Sequence, residues 1–419
     1  MLNNSGSSKK AVITGGGPSG LFCAYCLVKN RIAVDLYEQK DQPGRKYILA
    51  GQSGLNITNS ENPDLFASRY GKDKAFFRKL LTLFSPSDLV KWYNAIGIKT
   101  FTGSSGRVFA ETEGSGEILD KWLSILYGTG LFKLYTNHRL TDIRPDRTLV
   151  FESCGETIEV KTASAVFALG GASWPGTGSD GRWVDIFKKA GADIVPLKAA
   201  NCGFEKKWSG TFIEKWKGRP LKNIRVDFKG KSNRGELLVT PYGIEGSGIY
   251  FSGAELRDEI IKSGRAEVYI DLLPDLTMDR VIKKLKKDQG RETLSNYLRK
   301  AVNITGIKFA LLKEIFPHSS LKELIHSKPD MLKSLPLELH GMRPLEEAIS
   351  TSGGVSLESL DENMMLRNYP GYYVIGEMAD WEAPTGGYLL QGCFSTAYLA
   401  ASGIIGNAPA RDKSAFNSE

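Results

Sequence analysis

Apolar and polar positions change their rhythm several times along this chain. Residues 11–14 are apolar and β-prone, residues 15–20 form a glycine-rich turn, and residues 21–28 suit a helix. A second strand over residues 32–37 ends at Glu38. Strand, turn, helix and strand make one βαβ unit, whose parallel strands must pack between helices. A Gly/Ser/Asn-rich loop is predicted over 44–60, and helical periodicity resumes over 74–96. Strand-like runs at 132–135, 148–151 and 165–168 precede a second glycine-rich loop at 170–178. From 194 to about 270, short β-prone runs alternate with Gly and Asn, which predicts an antiparallel layer. Leu, Lys and Glu at helical spacing over 276–335 predict a small helical subdomain. The chain then returns to a strand at 372–375, a Gly376-Glu377 turn, a glycine pair at 386–387, and a helix of small residues to about 401.

This order predicts an α/β fold with a discontinuous nucleotide-binding domain, residues 1–193 and 344–419. Between its halves stand an antiparallel-β substrate domain, 194–270, and a helical subdomain, 271–343. The chain's 419 residues exceed one ordinary core, in keeping with several domains. No run reads as long and apolar enough to span a bilayer, and residues 1–10 are polar and small, so the expected address is the cytoplasm.

Five cysteines, at 23, 26, 154, 202 and 393, suit reduced thiols better than a disulfide framework. The four histidines lack metal-ligand spacing, so no structural metal is expected. Charge is uneven: residues 200–344 hold 27 Lys/Arg against 18 Asp/Glu, while the whole chain carries +8. A solvated helical face is the plainer account of that excess. The sharper one is attraction of an anionic substrate, nucleotide or partner, and no motif supports nucleic acid.

The candidate chemistry begins at Gly15-x-Gly17-x-x-Gly20, placed between strand and helix as dinucleotide binding requires. Gly15 permits the tight turn, Gly17 lets backbone approach a pyrophosphate, and Gly20 lets helix and strand pack closely. The helix N-terminus then offers N–H groups to phosphate. Glu38, closing the second strand, can accept ribose hydroxyls and disfavours a 2′-phosphate. Cys23-x-x-Cys26 lies on the helix that faces the sheet, where small buried hydrophobes are expected. Trp174 either walls a cofactor or plugs a domain junction. For Tyr242, turn chemistry is favoured over a substrate contact, and Arg343 and His340 stand where the chain returns to the first domain.

Further motifs add specificity. They are Gly44-Arg45-Lys46, residues 50–59 (Ala-Gly-Gln-Ser-Gly-Leu-Asn-Ile-Thr-Asn), residues 168–175 (Ala-Leu-Gly-Gly-Ala-Ser-Trp-Pro) and residues 381–391, Trp381 to Gln391. With these the chain resembles flavoproteins of the two-dinucleotide-binding-domain class, and more narrowly a bacterial family of NAD(P)/FAD-dependent oxidoreductases. Many members carry Gly-Gly-Arg-Cys-Asn where this chain has Gln52-Ser53-Gly54-Leu55-Asn56, so no role for that arginine and cysteine transfers.

The resemblance implies a Rossmann-type FAD-binding domain of three layers, β/β/α, with the middle inserted. It implies Gly15, Gly17, Pro18, Ser19 and Gly20 at the pyrophosphate and Glu38 at the adenosine ribose. Arg45 and Lys46 would lie at ribose or phosphate, Asn56 and Thr58 near the flavin ring, and the Leu140 backbone at adenine. Gly170 is counted with the cofactor residues. Gly376 and Glu377 would meet the ribityl–phosphate arm with Asp380 nearby, while Gly386, Gly387 and Leu389 approach the ring. A reduced flavin gains negative charge that a helix N-terminus stabilises.

The activity implied is FAD-dependent oxidation or reduction of a small organic molecule by hydride transfer. NAD(P)H is a candidate transient donor, although no second Gly-x-Gly-x-x-Gly has the strand–helix context. No acid–base residue is singled out. Two alternatives stay open: a flavin-binding redox sensor or interaction protein without turnover, and a flavoprotein acting on RNA.

Overall fold

The computed structural model describes residues 10–52, 54–112, 114–286, 290–316 and 318–406. Two compact units divide the chain: residues up to Lys198 together with those from Ser350 on, and Ala199–Ile349.

The first unit is built on a five-stranded parallel sheet, in the order Tyr372–Val374, Ser164–Phe167, Lys10–Thr14, Ala33–Tyr37, Phe132–Tyr135. The strand from the far end of the sequence thus closes the sheet opened by the first strand. Buried Val12, Ile13, Val34, Leu36, Val166 and Phe167 show why these strands read as apolar runs. The antiparallel strands Arg139–Ile143, Thr148–Ser153 and Glu156–Lys161 form a separate layer, and Phe151 stacks on Tyr37 of the parallel sheet at 4.3 Å. Helices Pro18–Lys29 and Tyr388–Ile405 pack together, with Phe22 and Phe394 4.8 Å apart. This is the expected β/β/α arrangement.

Several local expectations need correction. Residues 44–60 are not one loop but hold the helix Arg45–Ala50 and the strand Asn56–Asn59. That strand joins Arg107–Ala110 and Thr100–Thr102 in a small antiparallel sheet. The periodicity over 74–96 is two helices, Lys74–Leu83 and Pro86–Ala95. Pro86 forbids continuation, and Ser85 with Asp88 forms a capping box that restarts the helix. One helix, Tyr388–Ile405, is after all long and apolar enough to cross a membrane. Its polar residues Gln391, Ser395 and Thr396 are wholly buried and hydrogen-bonded within the protein, the signature of a core helix.

In the second unit the sheet order is Leu335–Leu339, Ala266–Asp271, Pro220–Phe228, Lys231–Thr240, Gly243–Glu245, Phe204–Glu205, Gly341–Met342. All its paired strands are antiparallel. The sequence separates 194–270 from 271–343, whereas one core contains Val268 and Ile270 of the sheet with Leu298 and Leu312 of the helices. The strand Leu335–Leu339 pairs directly with Ala266–Asp271, so the helical stretch is a connection within the sheet.

The βαβ turn shows how tightly the first unit is specified. A Cβ on Gly20 would overlap the carbonyl oxygen of Gly15 and sit 3.3 Å from Ala168 Cβ. Gly20→Ala is therefore expected to destabilise the protein by roughly 2–3 kcal/mol. A fall in apparent unfolding temperature, with no comparable fall for Gly116→Ala in the helix Ser115–Gly128, where an added Cβ meets nothing within 4 Å, is the measurement that checks it.

Candidate functional site

The strand Lys10–Thr14 delivers the chain into a turn held from both sides. Gly15 adopts φ +99°, its N–H bonds the Tyr37 carbonyl at 2.8 Å, and an added Cβ would strike the Ala168 carbonyl. Around Gly17, by contrast, a Cβ would meet nothing within 4 Å. Gly17 is the N-cap of Pro18–Lys29, no side chain caps that first turn, and Pro18 has no N–H to satisfy. Tightness at Gly15 and Gly20 with open space at Gly17 is the cradle a pyrophosphate needs.

Glu38 is buried beside this turn. Its Oε2 accepts the Gly16 N–H at 2.7 Å and its Oε1 the Lys40 N–H at 2.8 Å. Burial pushes its pKa up, and the two backbone donors oppose that rise. The backbone bonds fix the carboxylate while leaving lone pairs for ribose hydroxyls. The second glycine loop closes nearby, where Gln39 donates to the Gly178 carbonyl. Gly170, at φ +71°, leaves room for Ser179, whose hydroxyl is buried and has no hydrogen-bond partner among the described residues. Leu140 is buried in the antiparallel layer opposite Phe151, in the strand that begins just after His138, and the His138 N–H bonds the Glu38 carbonyl.

A second cluster joins four remote stretches of sequence. Lys46 Nζ donates to Ser173 Oγ at 2.7 Å and Glu377 Oε2 at 2.8 Å. Glu377 Oε1 accepts the Thr351 N–H at 2.8 Å, and Thr351 Oγ1 accepts the Ala172 N–H at 2.9 Å. Gly376, at φ +69°, meets the helix Pro18–Lys29 where a Cβ would overlap Ser19 Oγ. Arg45 is not drawn in: its guanidinium pairs with Asp41 at the surface. Ser19 likewise turns its hydroxyl toward Gly376 and hydrogen-bonds the Cys393 thiol rather than pointing into the open side of the turn.

The third cluster lies where the C-terminal helix begins. Thr58 Oγ1 donates to Gln391 Oε1 at 2.8 Å, and Asn56 Nδ2 donates to the Thr58 and Val108 carbonyls. These groups therefore hold the strand Asn56–Asn59 in place. A Cβ on Gly387 would collide with the Thr58 backbone, so this glycine first of all allows helix and strand to meet. Asn59 Nδ2 donates to the Gly386 carbonyl at 3.3 Å, and Leu389 is half-buried one residue beyond Tyr388. Asp380 pairs with Lys72 at 2.6 Å. Beside them Asp73 buries an Oδ2 with no partner, and desolvation raises its pKa to about 6, with Asp380 and Glu382 adding repulsion.

Cys23 and Cys26 are buried, and burial pushes both thiols up, away from the reactive thiolate. Trp174 is 42% exposed at φ +60°. In the second unit the Arg343 guanidinium lies 4.6 Å over the Tyr242 ring, whose hydroxyl donates to Glu245, more than turn chemistry alone requires. Ser173, Thr351, Lys72, Asp73 and Arg107 are absent from the sequence-derived set. Ser173 lies within the motif of residues 168–175, and Arg107 has a local signal of its own, a cation opening an alternating β run after a glycine turn.

These residues fit FAD. Gly17 has an open flank, the Glu38 carboxylate is fixed beside it, and the buried Ser179 hydroxyl has no hydrogen-bond partner among the described residues.

Comparison with known proteins agrees. The family model described as "HI0933-like protein Rossmann domain" matches residues 9–403. A ribosomal RNA dihydrouridine synthase of Haemophilus influenzae is 25% identical over 402 residues, covering 94% of this chain and 98% of that protein. A 3-dehydro-bile acid delta(4,6)-reductase of Clostridium scindens is 24% identical over 415 residues, covering 93% and 97%. In three dimensions, 3-ketosteroid delta1-dehydrogenase from Sterolibacterium denitrificans superposes with a TM-score of 0.52 at 13% identity, covering 96% of this chain and 100% of that one.

Asp73 carries a pH prediction. Its folded pKa lies above the usual carboxylate value, so the folded state favours its neutral form. That preference weakens the fold as pH rises from just below 4 to about 6, is fully present above that, and disappears only at about pH 3. Asp73→Asn is expected to raise the melting temperature at pH 8 by roughly 1–2 °C, about 1 kcal/mol after solvent screening. It should make little difference at about pH 3, and paired thermal melts at the two pH values test the sign.

Proposed function

Because the chain belongs to the HI0933-like Rossmann family, we propose that it is an FAD-dependent oxidoreductase that reduces a carbon–carbon double bond in a small organic substrate. The observation that carries this reading is the convergence of the residue 15–20 turn, Glu38 and the Lys46–Ser173–Glu377 cluster on one unit. Both named relatives, the dihydrouridine synthase and the delta(4,6)-reductase, are called after products or reactions that add hydrogen across such a bond. FAD, when bound, supplies the two-electron hydride chemistry.

The chain's own residues supply the rest. The first turn of Pro18–Lys29 meets the pyrophosphate with uncapped N–H groups. Glu38 orients the adenosine ribose, and Lys46, held between Ser173 and Glu377, brings positive charge to the phosphate–ribityl side. Gly386 and Gly387 start the long C-terminal helix at the ring. NADH or NADPH serves as a transient donor, without a glycine-rich site of its own.

A second reading, an RNA substrate, is favoured by one observation. Residues 206–222 carry Lys206, Lys207, Lys215, Lys217, Arg219 and Lys222 against the single acid Glu214. Among the described residues none of these six cations has a carboxylate partner. RNA binding that weakens steeply with salt supports this reading, and salt-insensitive or absent binding removes it.

Purified protein is expected to show a flavin absorbance spectrum that bleaches anaerobically with NADH or NADPH. A flavin that stays oxidised with both overturns the nicotinamide donor, and a protein that takes up no FAD overturns the whole reading. Glu38→Ala should weaken FAD binding about 10- to 100-fold, the loss of charge-assisted hydrogen bonds, measurable by titrating apoprotein with FAD.

A further inference from the structure

Arg107 opens the strand Arg107–Ala110, and its backbone is fixed. The Arg107 carbonyl accepts the Gly103 N–H at 2.8 Å, and Arg107 pairs in register with Asn59. Gly106, at φ +78°, makes the turn that puts it there. Its side chain reaches the start of the C-terminal helix: Nε lies 3.8 Å from where a Cβ on Gly386 would stand. The guanidinium is half-buried, and among the described residues it has no carboxylate and no hydrogen-bond acceptor.

Its neighbours sharpen the contrast. Arg69, on the other side of Tyr388, is satisfied by both oxygens of Glu61, with Nε to Oε2 at 2.9 Å. The Gly386 carbonyl is taken by Asn59. Arg107 is thus a cation with five donors, partly removed from water, at the one turn assigned to the flavin ring. A guanidinium there, still touching water, is available to a ligand that gains negative charge.

We propose that Arg107 is the residue that compensates the negative charge gained by the pyrimidine end of the flavin on reduction. This rests on the FAD reading given above and extends it to a residue outside the recognised motifs. Hydride uptake leaves the flavin with excess electron density near N1 and C2=O, and a guanidinium at Gly386 lowers the energy of that state. The oxidised flavin is neutral there, so the interaction favours the reduced form over the oxidised one. Arg107 accordingly raises the tendency of the bound flavin to accept a pair of electrons, without being needed to retain it.

The test uses the FAD-loaded protein and inorganic sulfite, whose binding to oxidised flavin bleaches it and responds to positive charge at the pyrimidine end. Arg107→Met and Arg107→Gln are expected to keep one FAD per chain while weakening sulfite binding about tenfold, with Arg107→Lys staying within about threefold of the parent. The flavin should also become harder to reduce against a reference dye in the Met and Gln variants. Unchanged sulfite affinity and unchanged dye equilibrium in either neutral variant overturn the proposal. If only KM for substrate rises, Arg107 instead anchors substrate, and the proposal likewise fails. Should Met prevent folding, the Gln and Lys pair decides alone. Failure of the parent protein to hold FAD would defeat the cofactor reading itself, a different result from FAD retained with an indifferent Arg107.

Discussion

The pair formed by Lys46 and Glu377 is the interaction on which the nucleotide-binding unit most depends. It spans 331 positions and has side chains largely out of solvent. A charge pair in that setting is tolerable only when the remaining hydrogen-bonding capacity is also met. Ser173 takes a second Lys46 proton, and the Thr351 N–H takes the other Glu377 oxygen. Thr351 in turn holds Ala172, next to Ser173, so the contacts close on themselves. Four segments that share no sequence neighbourhood are fixed by one set of polar contacts. The discontinuous domain is therefore joined chemically as well as by strand order.

Glycine performs the complementary task. Gly376 lies against Ser19, Gly171 against Thr351, and Gly387 against the Thr58 backbone, each at a distance no side chain tolerates. Where charge pairs draw segments together, these positions let the chain close on the side chains of Ser19 and Thr351 and on the Thr58 backbone. Gly17 differs, because its surroundings are empty. The contrast divides the motif glycines into those that pack the protein and one that leaves a surface for something else. Glycine-rich sequence alone does not make that distinction.

That division explains how much was legible beforehand. The βαβ unit, Glu38 and the C-terminal turn were readable because their signals are local: a period, a turn and an acid at a strand end. The small sheet of Asn56–Asn59 with Arg107–Ala110 was not, since its strands are short and pair across about fifty residues. Asn56 and Thr58 read naturally as ligand-facing polar residues in a glycine-rich stretch. Their hydrogen bonds instead run to Val108 and Gln391, partners that no local pattern discloses. Arg45 and Lys46 are adjacent and alike in sequence, yet on a short helix successive side chains diverge, and only Lys46 reaches the cluster. The helical stretch of the second unit looked separate because its periodicity is distinct. Its return strand, Leu335–Leu339, makes it part of the same sheet.

The electrostatics of the first unit have a direction that follows from these placements. Near the phosphate turn the fixed groups are an acid held by backbone N–H groups and a lysine whose charge is shared with Glu377. Near Gly386 the balance reverses: Glu61 is consumed by Arg69, leaving Arg107 unmatched among the described residues. In the proposed FAD site, a cofactor anchored at one end by hydrogen bonds and met at the other by unspent positive charge is held in both oxidation states but stabilised more in the reduced one. Retention and redox tuning are, under that proposal, separable properties of the same unit. The first is assigned to Glu38 and the glycine turn, and the second to Arg107 on a different strand.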